Sequence, residues 1–182
     1  MPTEHKQRTG NCEAGTGHLG VGTDAIIRKY ATIAAAMEIL PDALASVGIL
    51  PLQLRLIYLV GKEYGCEMDS RHVLELAATF GIGIVAQTAE ATVRKFMGVS
   101  GPLAIAAAAS ATFGITYALG KVADHYYRHG RNLAFNSLKG DFDEYRNQAK
   151  GVYEMCKGEA VRLGKSGNPA AVAGEYIGVK DS

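Results

Sequence analysis

The sequence has no tryptophan, five phenylalanines and three cysteines. The shortage of large rings excludes a core built on bulky aromatics. The cysteines, Cys12, Cys66 and Cys156, are widely spaced, with no Cys-x-x-Cys pair. That excludes a disulfide framework and a zinc knuckle, and fits a reducing compartment. A charge excess is missing too: Lys+Arg is 19 and Asp+Glu is 18, a net +1. A dedicated nucleic-acid binder would carry a basic surplus to meet phosphates, so nucleic acid is not an expected partner. The first ten residues, MPTEHKQRTG, hold no apolar run, so no secretory signal is expected there.

Small residues fill the space that aromatics leave. Glycine supplies 22 of the 182 residues, well above the usual share of about 7%. Alanine is abundant, and 48% of the chain is hydrophobic. A chain of this length has room for one domain.

No stretch alternates with period two, so the expected class is all-α: a helical bundle around a central Ala/Gly-rich helical hairpin. Residues 1–23 hold five glycines and no periodicity, and read as a flexible arm. The helical domain covers 24–164, and 165–182 form a Gly-rich tail. The first helix is expected to start at Asp24, as N-cap, and to stop before Pro41. The second is expected to start at Pro51 and end at Gly65, because proline suits a first turn and glycine a C-cap. A third is expected from Asp69 or Ser70 to about Met97, and a fourth from Pro102. The last is expected from Asp141, where Asp141-x-x-Glu144 has the letters of a capping box.

The expected hairpin spans 73–120. From Phe96 to Gly120 there is no charged residue. Six strongly apolar residues lie in Val99–Leu119, and at bilayer depth they supply roughly −2 to −4 kcal/mol. Eight in Val73–Val93 supply roughly −2 to −5 kcal/mol. Each span is a marginal transmembrane helix alone, but the two can insert as a pair with Arg94 and Lys95 at the tip. Small residues four apart favour close helix contact: Ala106, Ser110 and Gly114 on one ridge, Ala104, Ala108 and Thr112 on the next. The alternative is a soluble bundle in which neighbours or other subunits bury the hairpin. Arg71, Lys121, Arg128 and Arg131 flank its open end. That positive surplus places both termini in the cytoplasm, with the hairpin in the cytoplasmic membrane. The soluble alternative is a cytoplasmic assembly.

No constellation for catalysis is visible, and no cofactor is expected. Gly15-x-Gly17-x-x-Gly20 matches a dinucleotide fingerprint by letters, but no strand precedes it. Gly164-Lys165-Ser166 matches the end of a phosphate loop, but the first glycine is misplaced. His125 and His129 stand four apart beside Asp124, a spacing able to chelate a metal. No further ligand is signalled nearby, so an interfacial cluster with Tyr126 and Tyr127 is the better reading. Asp69-x-x-His72 lacks the repeated carboxylates of a di-iron bundle. Glu75 and Glu90 are ionisable groups inside an apolar helix, about four turns apart. In lipid such groups line pores or relays; otherwise they pair with Arg71 and Arg94.

Residues 24 to 133 resemble a bacterial domain of unknown function found C-terminal to Era-like G domains and in YcjF-type membrane proteins. The resemblance rests on Pro41-Asp42, Leu52-Gln53-Leu54-Arg55-Leu56-Ile57 and Tyr64-Gly65. A second block is the Gly98–Pro102 break, then Thr116-Tyr117-Ala118-Leu119-Gly120-Lys121 and Tyr126-Tyr127. The family's Pro-Gly turn between the apolar helices is replaced here by Gly-Val-Ser-Gly-Pro. The resemblance implies membrane association and a role beside a GTPase, and no catalytic residues. The resulting expectation is a non-enzymatic, membrane-associated helical protein that acts by self-assembly or by binding a GTPase partner. The alternatives are a soluble homo-oligomeric scaffold, and a pore or ion-handling assembly using Glu75 and Glu90.

Overall fold

The computed structural model describes residues 19–40, 42–66, 101–131, 133 and 135–166. Among them are four helices and no strand, so the protein is all-α. The helices are α1 (Leu19–Met37), α2 (Asp42–Glu63), α3 (Pro102–Arg128) and α4 (Phe135–Lys165). The arm before residue 19, the expected helix at 69–97 with Asp69, His72, Glu75 and Glu90, and the tail from 167 lie outside the described residues.

Side-chain pairings fix how the helices run. Lys121 bonds Asp24 at one end of α1, and Thr112 bonds Glu38 at the other, so α1 and α3 are antiparallel. Gln53 bonds Thr116 and Tyr64 bonds Asp124, so α2 runs parallel to α3. His125 pairs with Asp141 and Phe113 packs on Tyr153, so α4 runs antiparallel to α3. Helix α3 is therefore the central rod, with the other three around it.

The core mixes aliphatic side chains with buried rings, Phe113 and Tyr127 among the largest, which corrects the expectation of a core without bulky aromatics. Ile27, Ile33, Leu52, Leu56, Leu119 and Val122 are almost wholly removed from water. Four alanines of α1, Ala31, Ala34, Ala35 and Ala36, are fully buried and let neighbouring helices approach. Gly120 marks the tightest junction. A Cβ there would lie 2.8 Å from Ile27 Cγ1 and 3.1 Å from Leu56 Cδ2, so α1, α2 and α3 meet at this point only without a side chain.

Three boundaries differ from expectation. Helix α1 starts five residues before Asp24, whose carboxylate serves Lys121 instead of capping. Pro51 lies inside α2 rather than at its start. Proline removes one backbone donor there, and the helix continues around it. Asp141 does not begin a helix. It lies in the second turn of α4, its carboxylate is engaged by His125, and Glu144 accepts instead from Gln148 at 3.1 Å. Helix α3 does start at Pro102, the favoured N1 position, behind Gly101 at φ 149°.

Cys66 is disulfide-bonded and Cys156 is free. The bond corrects the expectation of a chain without disulfides. Wide spacing hid it, because loop length alone does not bar two cysteines from meeting.

Candidate functional site

Helix α3 is two different helices end to end. It is the one described helix long and apolar enough to cross a membrane, and half of that apolar window is buried inside the bundle. From Thr112 to Gly120 every residue is buried. From Pro102 to Ala107 only Ala104 is even half-buried, and Leu103 is 85% exposed. Each half holds one Ile and one Leu, and the sheathed half is the one that carries Lys121, Asp124 and Arg128, so hydropathy does not pick out the buried half. Neighbours do.

The buried half is held by a series of polar rungs. Thr112 Oγ1 donates to Glu38 Oε1 at 2.8 Å. Gln53 Nε2 donates to Thr116 Oγ1 at 3.1 Å. Lys121 Nζ donates to Asp24 Oδ1 at 2.9 Å and lies over the Tyr145 ring. Tyr64 Oη donates to Asp124 Oδ1 at 2.7 Å, and Arg128 donates to Asp124 Oδ2 at 2.6 Å. Each rung satisfies a group whose burial would otherwise be unfavourable. Glu38, Gln53, Thr112, Thr116 and Asp124 are all buried. Asp124 stands out in the sequence beside the histidines, Thr112 on a ridge, and Gln53 and Thr116 only within the resemblance blocks; none is legible there as a rung. Their signal is faint: single polar residues inside apolar helices.

Burial and partners shift the tyrosines and lysine along this seam. Desolvation pushes the Tyr64 hydroxyl up, and its bond to Asp124 adds to that. Desolvation also pushes Tyr127 well above the usual tyrosine range. Its hydroxyl is buried with no hydrogen-bond partner among the described residues. For Lys121, burial pulls the ammonium down, but the bond and charge of Asp24 outweigh it and leave it raised.

The exposed half emerges where α4 turns away. Tyr153 packs on Phe113, with ring centroids 5.2 Å apart. Gly164, eleven residues on, sits against Ala36 and Ile39 of α1: a Cβ there would lie 2.9 Å from the Ala36 carbonyl oxygen. Glu38, just past the same end of α1, meets Thr112, so the last turns of α4 pack against the end of α1. Arg162 and Lys165, in the final turn of α4, are exposed at that end.

The small residues expected to form packing ridges divide accordingly. Ala106 is exposed, and Ala104, Ala108 and Ser110 are half-buried. Gly114 is buried against Arg146 and Ala149 of α4, and Thr112 against Glu38 of α1. The contacts made by Thr112 and Gly114 lie within the chain.

His125 and His129 come together in the last turn of α3, ring centroids 4.5 Å apart and edge-on. His125 Nδ1 is 3.0 Å from Asp141 Oδ2, and His129 Nδ1 is 2.8 Å from the His125 carbonyl oxygen. No group of three or more metal-ligating side chains lies together among the described residues. Gly20 sits within α1, and Lys165 and Ser166 close α4, so neither glycine-rich match has a strand before it among the described residues.

No family model, curated protein or solved structure matches the chain.

Proposed function

We propose that this chain is a non-enzymatic helical protein of a membrane surface, with its bundle in water and the apolar end of α3 in one leaflet. The observation that carries this reading is the change along α3 between Ala107 and Thr112, from a fully sheathed helix to an uncharged one with Leu103 and Ile105 exposed. Ten residues of helix reach about 15 Å, half of a hydrocarbon core of about 30 Å. Burying Leu103 and Ile105 contributes roughly 1.5–3 kcal/mol each at full removal from water. Lys165 stands at the same end of the bundle and suits anionic headgroups, whereas Arg162 there is paired with Glu159 at 2.6 Å.

A full crossing by 102–128 is disfavoured by the rungs. Lipid around Thr112–Arg128 would require Asp24, Glu38, Asp124, Lys121 and the charged face of α4 to enter with it. The bundle is then the part that meets other proteins, and the resemblance above makes a GTPase the first partner to try. A soluble homo-oligomer is the second reading. It is favoured by Ala104, Ala106, Ala107, Ala108 and Ala111 on the bare half, which suit close helix contact.

Particle size separates them. The membrane reading predicts pelleting with membranes, resistance to carbonate and release by detergent. A discrete soluble particle, unchanged by detergent, sinks it in favour of the oligomer.

A further inference from the structure

The geometry points to a two-histidine chelate for a divalent transition cation at His125 and His129. The decisive feature is which nitrogens are already used. A carbonyl oxygen accepts only, so the His129 ring bonded to the His125 carbonyl carries its proton on Nδ1. The Asp141 carboxylate likewise takes the Nδ1 proton of His125. With Nδ1 so engaged, the tautomer available to a metal is the one whose free lone pair is on Nε2. Carbonyl or carboxylate acceptors behind the ring are what metal-bound histidines use to fix orientation and raise basicity. The spacing is four residues on one helix face, as in two-histidine zinc motifs. Both rings are accessible: His129 is exposed, and the His125 side chain is 30% exposed.

The neighbouring charge does not block the site. Arg128 is neutralised by Asp124 at 2.6 Å, and Lys121 by Asp24 at 2.9 Å. Asp141 adds a negative charge behind His125. Imidazole donors select zinc, nickel or copper(II) over magnesium or calcium. Two rings and water complete the coordination, with no third side chain among the described residues. Because Asp141 belongs to α4 while both ligands belong to α3, the cation tightens the junction between these helices. The inference does not depend on the membrane reading.

The test is calorimetric titration of the full, untagged chain with Ni²⁺ and with Zn²⁺. One ion per chain is expected at this site. His129→Ala removes one ligand from an exposed position and lowers affinity at least tenfold, with an unchanged circular dichroism spectrum. Asp141→Asn lowers affinity about tenfold or more through the ring it orients. Glu154→Gln, whose carboxylate pairs with Lys157 farther along α4, leaves affinity unchanged. Absence of binding by the parent chain, or equal affinity in His129→Ala and parent, overturns the inference.

Discussion

Tyr64 and Asp124, sixty residues apart, are joined by a 2.7 Å hydrogen bond that closes the end of α2 onto α3. Asp124 is buried, and Arg128 saturates its other oxygen. Tyr64→Phe leaves that carboxylate short of one donor and is expected to destabilise by about 1–2 kcal/mol. Asp124→Ala removes the acceptor of both Tyr64 and Arg128, which keep only their own 3.3 Å bond, and is expected to be the worse of the two. Urea unfolding midpoints measure both. An unchanged midpoint for Tyr64→Phe contradicts the rung.

Two glycines of α3 make opposite predictions. At Gly114 a Cβ finds Arg146 Cγ at 3.5 Å, an ordinary contact. Gly114→Ala is expected to stabilise by about 0.5–1 kcal/mol, through helix propensity alone. At Gly120 the same Cβ meets Ile27 at 2.8 Å, and branched side chains on two helices must shift. Gly120→Ala is expected to lose about 1–3 kcal/mol to overpacking, less the propensity gain. Thermal melts that rank the two variants the other way contradict the packing.

High pH attacks the seam from the tyrosines. Tyr64 and Tyr127 hold their protons more tightly folded than unfolded, chiefly because burial opposes the phenolate. A raised folded pKa gives stability that is complete below the unfolded value, near 10, and is lost as pH climbs above it. Lys121 acts in the same direction, since Asp24 keeps its ammonium charged. Stability is therefore expected to fall above about pH 10. Tyr127→Phe removes a buried unpaired hydroxyl, and is expected to hold stability at neutral pH and to flatten the alkaline loss. Melting temperatures from pH 8 to 11 test this, and a parallel loss in parent and variant contradicts it.

The thiols are distinguishable. Cys66 is expected to react with a thiol reagent only after reduction, and Cys156 without it. Peptide mapping after differential alkylation shows which is labelled. Labelling of Cys66 in unreduced protein contradicts the bond.

Much of the fold was legible because helix signals are local. Pro102 after Gly101, and the absence of period-two patterning, carried the helical assignment. Pro51 misled because a first-turn preference is only statistical, and α2 absorbs the missing donor in its interior. Asp141 misled for a related reason: a capping box describes letters, whereas the carboxylate is claimed by His125 across the turn. The division of α3 was beyond reach of composition. Ile105 and Ile115 are alike in sequence, and only α1, α2 and α4 packed around the second make it 5% exposed where the first is 41%. The rungs were hidden similarly: Gln53 and Thr116 stand in the resemblance blocks, but nothing in the sequence pairs residues 63 positions apart.

The central claim is that the bare end of α3 enters lipid while the bundle stays in water. Flotation of the purified chain with vesicles containing anionic lipid tests it most directly. The parent chain is expected to rise with the vesicles. Leu103→Glu with Ile105→Glu is expected to remain below, with an unchanged melting temperature, because both side chains are exposed. A parent chain that stays in the lower fractions, or a double variant that floats equally well, contradicts the account.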